Sequence, residues 1–462
     1  MKPYYMPCYQ VRETTLLKDA WTLAIEALSW IELQNLSEKL ALSKTAKQLH
    51  ITNTFAKGLA HKLVCETMRK RNLLDRLINH ALAPRAISDF DLGVRAFLRL
   101  YAYETKTEPK RDVHKEAVEI ARMGRSILEW ETLQPVEKAL GALLSLKTET
   151  VLRELSDDEK TALQTCHPSW FVKYCFKLFG RNDALKLLES GQTFPPVYVR
   201  LNTLKSTEEK TLEALQKEDI QLAPVQGLKD VYKITKTKQP LASTKSFKEG
   251  LFYVQDKASC LAAEVTAPEP GMTVFDVCAA PGAKTTHLAM LMQNKGAIFS
   301  LDYSKRRMNA WKQSISRMGV ENATPIISDA CQPLPLNGTA DIVILDPPCT
   351  STGVFARTPS AKWRLSPRSI RKMAEIQWQM LRNSADKVKE DGWLIYSTCS
   401  ITVEENEMQI ERFLKLHLEF KLCETKPLIG QAGLRGLTKC QRLYPHMHEC
   451  NGFFIAKLQR KP

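Results

Sequence analysis

Apolar residues recur at three- and four-residue spacing through most of the first third of the chain. AWTLAIEALSWIEL, NTFAKGLAHKLVCETMRKRNLLDRLINHAL and DLGVRAFLRLYAYE each carry such a stripe, and KRDVHKEAVEIARM continues it with charges on the other face. This predicts an all-α domain over residues 14–147, with Ser88 and Asp89 placed as N-cap candidates before DLGVRAFLRLYAYE. Residues 148–166 are polar with few aromatics and read as a helical or irregular connection. Beyond them HPSWFVKYCFKLFGRNDALKLLES predicts two short helices, and PPVYVRLNTLK alternates like a strand behind two prolines. A helix over TEEKTLEALQKE and short strands at VYKIT and GLFYVQD complete a small α/β module of about 90 residues. From about residue 256, apolar runs of strand length (TVFDVCA, AIFSLD, PIISDA, ADIVILD, WLIYST) alternate with helical stretches starting near Lys284, Ser304, Ser366 and Val403. Regular β-α-β alternation predicts a mainly parallel, doubly wound sheet. The expected domains are 1–150, 151–255 and 256–462.

Composition narrows the class. No run approaches the ~20 apolar residues that span a bilayer, and MKPYYMPCYQ lacks the apolar stretch of a secretory leader, so no membrane association and a cytoplasmic location are expected. Twelve cysteines without such a leader point to free thiols, buried or catalytic, in a reducing compartment. With 66 Lys and Arg against 51 Asp and Glu, the net charge of +15 makes nucleic acid the leading partner class through counterion release.

In a doubly wound sheet ligands bind beyond the C-terminal ends of the strands, and here each strand run ends in reactive chemistry. The first runs into Cys278-Ala279-Ala280-Pro281-Gly282-Ala283-Lys284, small residues that let a ligand approach the backbone and the N-terminal amides of the next helix. The loop is neither a G-x-G-x-x-G nor a Walker sequence. Asp302 closes the second run, where a carboxylate can hold ribose hydroxyls, and Asp329 closes the third, placed for an adenine amine; the three in register point to an adenosine-containing cofactor. Asp346 closes the fourth run in ILDPPC, followed by Pro347, Pro348 and Cys349. Ser397-Thr398-Cys399-Ser400 closes the fifth, ahead of VEENEMQIERFL, a helix whose N-terminus would favour a thiolate. Either cysteine could attack carbon.

These stretches resemble the Nop/Sun/Fmu family of S-adenosylmethionine-dependent RNA cytosine-C5 methyltransferases. DVCAAPGAKTTHLA, LDYSKRRMNAWKQSISRMGV, DPPCTSTGVFARTPSAKWR and YSTCSITVEENE carry the resemblance, which extends to RLYPHMHECNGFFIAKL. FLRLYAYETKTEPKRDVHKEAVEIAR is similar to the NusB-like domain fused in front of bacterial ribosomal-RNA members. The resemblance implies an all-α NusB-like RNA-binding domain, a small RRM-like α/β module and a Rossmann-like class I methyltransferase domain with a C-terminal antiparallel hairpin. It implies S-adenosylmethionine as cofactor, held by Cys278 to Lys284, Asp302 at the ribose, Asp329 at the adenine, Arg307 and Asp346. It makes Cys399 the nucleophile that adds to cytosine C6 and Cys349 the thiol that assists product release. Asp346, desolvated between prolines and base, is expected to donate at N3 of the cytosine. Pro347 and Pro348, with the basic stretch Lys362, Trp363, Arg364, Arg368 and Arg371, are expected RNA contacts by charge and stacking.

Ribosomal RNA is the favoured substrate and transfer RNA the alternative, with a monomer expected; an RNA-binding assembly factor with secondary methylation is the reading from a different class. A DNA methyltransferase, which would attack through the Pro-Cys thiol, is disfavoured by the Thr-Cys pair at 398 and 399. Cys440, His446, His448 and Cys450 lack structural-zinc spacing, and no metal is expected. Asn451 stands before Gly452 where the family has an aspartate; Asn-Gly suits a tight hairpin turn.

Overall fold

The structure, a computed structural model, describes residues 7–107, 112–153 and 155–462, with side chains of the first helix described from residue 15. The opening MKPYYM, on which the expectation about a leader partly rested, Lys110 and Arg111 of KRDVHKEAVEIARM, and Glu154 of the connecting stretch lie outside the described residues. The chain forms two compact units, one of residues 1–193 together with Phe355–Arg364, the other of Phe194–Val354 and Leu365–Pro462.

The first unit is helical. Helices Pro7–Gln34, Glu38–Gln48, Thr54–Arg69, Arg71–Leu82, Leu92–Lys106, Val113–Leu128 and Glu137–Ser145 follow the predicted stripes and bury Trp21, Leu63, Leu77, Phe97, Tyr101 and Leu140 in one core. Helix Leu92–Lys106 is preceded by Asp91 rather than by Ser88 or Asp89. Those two sit in a short 3-10 turn, Ile87–Asp89, where the Asp89 carboxylate accepts from Ala86 N at 2.8 Å and so is used one turn earlier. The connecting stretch forms helices Thr148–Leu152 and Asp157–Gln164, the latter opened by a Ser156–Glu159 capping box. Helices Ser169–Phe179 and Arg181–Ser190 also belong to this unit.

The second unit holds two sheets. Strands β1 (Tyr198–Leu201), β2 (Gln221–Pro224), β3 (Val231–Lys236) and β4 (Phe252–Val254) form an antiparallel sheet in the order β2-β3-β1-β4. Then come β5 (Thr273–Val277), β6 (Ala297–Asp302), β7 (Ala323–Ile327), β8 (Ala340–Leu345), β9 (Val388–Thr398), β10 (Phe420–Cys423), β11 (Gln431–Ala432), β12 (Gln441–Leu443) and β13 (Phe453–Arg460). They make a sheet in the order β11-β12-β13-β9-β8-β5-β6-β7, with β10 beside β13. The five strands β7-β6-β5-β8-β9 are parallel, whereas β13 returns antiparallel to β9 with Ile455 opposite Ser397. Strand order reverses at β5, so the loops after β5 and β8 flank the switch point where such sheets bind ligands. Arg200 of β1, fully buried, donates to Gln255 Oε1 at 3.1 Å and Thr286 Oγ1 at 2.9 Å, fastening the small sheet to the helix after β5. Among the described residues no helix is long and apolar enough to cross a membrane.

Two local expectations are corrected. Asn451-Gly452 does not form a tight turn: β12 and β13 are joined by a longer segment containing the helical turn Pro445–His448. Gly452 is required for another reason, because a Cβ there would lie 2.7 Å from Ile401 Cγ2 and 2.8 Å from the Gly353 Cα. The last predicted helix begins at Glu407, not near Val403. Side chains in Thr398–Asn406 hydrogen-bond the local backbone instead, as when Asn406 Nδ2 donates to Ser400 O and Thr398 Oγ1 accepts from Ser400 N. The helix terminus is therefore not adjacent in sequence to Cys399.

Candidate active site

A cavity of about 440 Å³ opens at the switch point, lined by Asp256, Ser259, Cys278, Lys284, Arg307, Asp346, Pro347, Pro348, Cys349, Ser351, Cys399, Asn451 and Phe453. The predicted strand-end residues from β5, β8 and β9 thus meet in one place. Cys349 Sγ and Cys399 Sγ are 2.8 Å apart, and Ser351 Oγ lies 3.8 Å from Cys399 Sγ. Gly353 N donates to Cys399 O at 2.9 Å and Gly452 N to Gly353 O at 2.8 Å, so the loop after β8, the end of β9 and the segment before β13 are laced together by backbone bonds.

Asp346 has a partner that its sequence context did not reveal. Lys284 Nζ, from the helix after β5, donates to Asp346 Oδ2 at 2.5 Å, and Ser397 Oγ lies 3.3 Å from Oδ1. Against its own burial, Lys284 is held above its ordinary pKa chiefly by Asp346. The acid before the two prolines, expected to be desolvated and alone, is in fact half of an ion pair with its side chain 32% exposed. Deeper still, burial raises the Asp276 carboxyl to about 7, with its Oδ2 accepting from Thr285 Oγ1 at 2.5 Å.

Cofactor chemistry fits the residues after β5 and β6. Asp302 is buried; its Oδ1 accepts from Ser304 N at 3.0 Å and its Oδ2 from Ala280 N at 3.3 Å. Arg307 pairs with Asp302 Oδ2 at 3.1 Å and also donates to Ala280 O, locking the loop Cys278–Lys284 against the end of β6. Cys278 takes φ +67° at the turn out of β5, and burial pushes its thiol far above the usual range. Asp302 and Asp329 stand outside the lining of the cavity, and β7 ends at Ile327, so Asp329 lies on the exposed loop beyond it with Oδ1 accepting from Cys331 N at 2.9 Å.

The expected RNA contacts divide. Arg368 and Arg371 are exposed on helix Pro367–Ala385. Lys362 is not available to a nucleic acid and Trp363 is half-buried, for Phe355–Arg364 packs as part of the helical unit. Lys362 is fully buried, donating to Cys166 O at 2.6 Å and Arg69 O at 3.0 Å, and burial lowers its pKa to about 7. Trp363 Nε1 donates to Met68 O at 2.6 Å, and Arg364, though exposed, donates to Asn35 O at 2.5 Å. A basic stretch interleaved with an aromatic is here a structural anchor.

Asp256, Ser259 and Phe453 were missed from the sequence. Asp256 follows β4 as the other acids follow their strands, so the strand-end rule would have found it. Its carboxylate caps the next helix at Ala258 N (3.0 Å) and also receives Asn451 N, at 3.3 Å.

Comparison with known proteins agrees with this geometry. The family described as 16S rRNA methyltransferase RsmB/F matches residues 263–459, the RsmF/B-like ferredoxin-like domain residues 167–239, and the NusB family residues 18–126. A probable ribosomal RNA small subunit methyltransferase B from Bacillus subtilis is 29% identical over 95% of this chain and 98% of its own. The 25S rRNA (cytosine-C(5))-methyltransferase nop2 of Schizosaccharomyces pombe is 34% identical over 62% of this chain, which spans about half (49%) of that protein's length. A solved methyltransferase homolog from Pyrococcus horikoshii superposes with a TM-score of 0.60 at 31% identity, over 66% of this chain and all (100%) of that one. The chain belongs to the Nop/Sun/Fmu family of S-adenosylmethionine-dependent RNA cytosine-C5 methyltransferases, in the form that carries a NusB-like helical domain.

Proposed function

We propose that this chain methylates carbon 5 of a cytosine in ribosomal RNA, with Cys399 as nucleophile and Cys349 as the thiol that assists release. The observation that carries the reading is the pair of sulfurs 2.8 Å apart at neighbouring strand ends, in one cavity with the Lys284–Asp346 pair. C5 of cytosine is a poor nucleophile. Addition of the Cys399 thiolate at C6 pushes an electron pair toward C5 and makes the ring an enamine. A cationic donor eases that addition by stabilising charge at N3, and Lys284, kept charged by Asp346, fills that role in place of a lone neutral acid. When bound, S-adenosylmethionine supplies an electrophilic methyl group, and Cys278 to Lys284, Asp302, Arg307, Asp329 and Asp346 would hold it. Loss of the C5 proton then returns an electron pair that expels the Cys399 sulfur. Cys349, in contact with that sulfur, is placed to share the proton of its departure.

Ribosomal RNA is favoured because the Bacillus subtilis relative, named for that substrate, is similar over nearly the whole chain. Arg368 and Arg371 are proposed phosphate contacts, the helical unit a second RNA-binding element, and a monomer in a reducing cytoplasm the working form. Bisulfite sequencing of ribosomal RNA from cells lacking the protein should reveal one missing 5-methylcytosine. Cys399→Ala should abolish methylation while still binding S-adenosylmethionine, and Cys349→Ala should accumulate RNA attached covalently to the protein. Methylation by Cys399→Ala would overturn the assignment.

A further inference from the structure

Glu405 lies two residues before the helix Glu407–Leu416 and is fully buried. Its Oε1 accepts from Thr350 N at 2.8 Å and Gln377 Nε2 at 2.9 Å; its Oε2 accepts from Ser400 Oγ at 2.6 Å, Thr402 Oγ1 at 2.7 Å and Thr350 Oγ1. All of these donors are neutral. Gln377 Nε2 also donates to Pro348 O at 2.9 Å. Pro348 and Thr350 are the neighbours of Cys349, and Ser400 is the neighbour of Cys399. One carboxylate therefore fastens the chain on both sides of the first cysteine and on the far side of the second.

We propose that Glu405 is a positioning residue for the reaction: it fixes the loop that presents Cys349 against the strand end that presents Cys399, and its negative charge keeps the proton of the thiol pair on Cys349, leaving Cys399 to attack. The inference rests on the cysteine roles proposed above. A carboxylate accepting from two N–H groups on one oxygen and three hydroxyls on the other is solvated as an anion without a cation. Cys349 Sγ touches Cys399 Sγ, Glu405 is held at the neighbouring Thr350 N, and Asp256, Lys284, Arg307 and Asp346 line the same cavity. The contact with Cys399, burial, and the charges of Cys399 and Glu405 all push the Cys349 thiol well above its usual range. The one ammonium in this set responds to the other cysteine: Lys284 is held charged by Asp346 and Asp276 and, after them, by Cys399. A carboxylate bound beside Cys349, at Thr350, and an ammonium that responds to Cys399 would separate two otherwise similar groups.

Glu405→Gln keeps an acceptor for Thr350 N and Gln377 and lets the hydroxyls turn to accept from the new amide, but removes the charge. In the full-length protein without RNA, iodoacetamide labelling followed by peptide mass spectrometry reads which thiol reacts first. The wild type should label at Cys399 before Cys349. Glu405→Gln should raise the Cys349:Cys399 labelling ratio about tenfold, the size expected for one charge at a few ångströms in a poorly solvating site. Its kcat should fall while KM for RNA and binding of S-adenosylmethionine hold. A ratio and kcat within about twofold of wild type would overturn the proposal. Should Glu405→Gln not fold, Thr350→Val removes one hydroxyl and leaves the charge. It must lower kcat yet keep Cys399 first; labelling of Cys349 first would refute the role of the charge. Labelling is read without turnover, so a failure of the nucleophile assignment, seen as methylation by Cys399→Ala, is a separate result.

Discussion

Lys362→Met separates a buried anchor from an RNA contact. In the native protein the Lys362 ammonium has been moved from water to a buried site where it donates to two backbone carbonyls, Cys166 O and Arg69 O, and lies 5.4 Å from the centre of the Trp363 ring. That environment lowers its pKa to about 7, against about 10.4 in an unfolded chain. The unfolded state therefore binds more protons between these values, so stability is greatest above about pH 10, falls as pH drops toward 7, and is level below it. Between these two values the native state carries a penalty of about 5 kcal/mol at low pH, of which about 2 kcal/mol is relieved between pH 7 and 9. Methionine carries no such penalty but leaves two buried carbonyls without a donor, about 1–3 kcal/mol each. The two effects nearly offset at pH 7, whereas at pH 9 the variant should be the less stable protein by about 2 kcal/mol more than at pH 7. Urea unfolding followed by helical circular dichroism at both pH values measures this difference. Parallel pH dependences in wild type and variant would refute the argument. So would a salt dependence of the KM for RNA that becomes shallower by about 0.7 in log–log slope, the signature of one lost contact to a single-stranded phosphate.

That salt signature is expected instead for Arg368→Ser and Arg371→Ser, each of which should weaken RNA binding with kcat and cofactor affinity unchanged; a flat response would remove them from the interface. Lys284→Met deprives Asp346 of its 2.5 Å partner and should cost about 10- to 100-fold in kcat, the worth of a hydrogen bond to a charged group; an unchanged pre-steady-state methylation rate would exclude it from the chemistry. Glu407→Gln breaks a pair in which the Arg442 guanidinium is 1% exposed and the carboxylate 0%. A charge left buried without its partner should lower unfolding free energy by about 3–5 kcal/mol in urea titration, and a loss below about 1 kcal/mol would contradict this.

The catalytic sheet was legible because its information is local. A strand buried on both faces must be apolar throughout, and its last residue is the first that can be polar, so Asp302, Asp346 and Cys399 stand out against the runs before them. The amphipathic stripes of the helical unit are equally local, and its helices follow them closely. What failed was solvation. Lys362 and Trp363 carry the same local pattern as Arg368 and Arg371, yet Lys362 is fully buried and Trp363 half-buried whereas the latter pair is exposed. The difference is set by Arg69 O, Met68 O and Cys166 O, acceptors remote in sequence whose positions no local spacing announces. The start of the last predicted helix failed for a related reason. VEENEMQIERFL has helical spacing throughout, but Thr398, Ser400 and Asn406 supply side-chain partners that hold the backbone out of the helix until Glu407.

The two cysteines show how far a strand-end rule can go. It brings Cys349 and Cys399 to one cavity, but it treats them alike, since each ends a neighbouring parallel strand beside a small polar residue. Chemistry requires them to differ, because a thiol that keeps its proton cannot attack and one that has lost it cannot return it. The difference comes from elements other than the two strands. Lys284 reaches in from the helix after β5 and Gln377 from the helix after β8, while Glu405 comes from the turn that delays the last helix. The irregular backbone of Ser400–Asn406 is therefore not a failed helix start. A regular helix from Val403 would carry Glu405 on its first turn, where its carboxylate would meet helix amides or solvent. Held out of the helix, the same residue collects Thr350, Ser400 and Thr402 and fixes both cysteine-bearing loops at once.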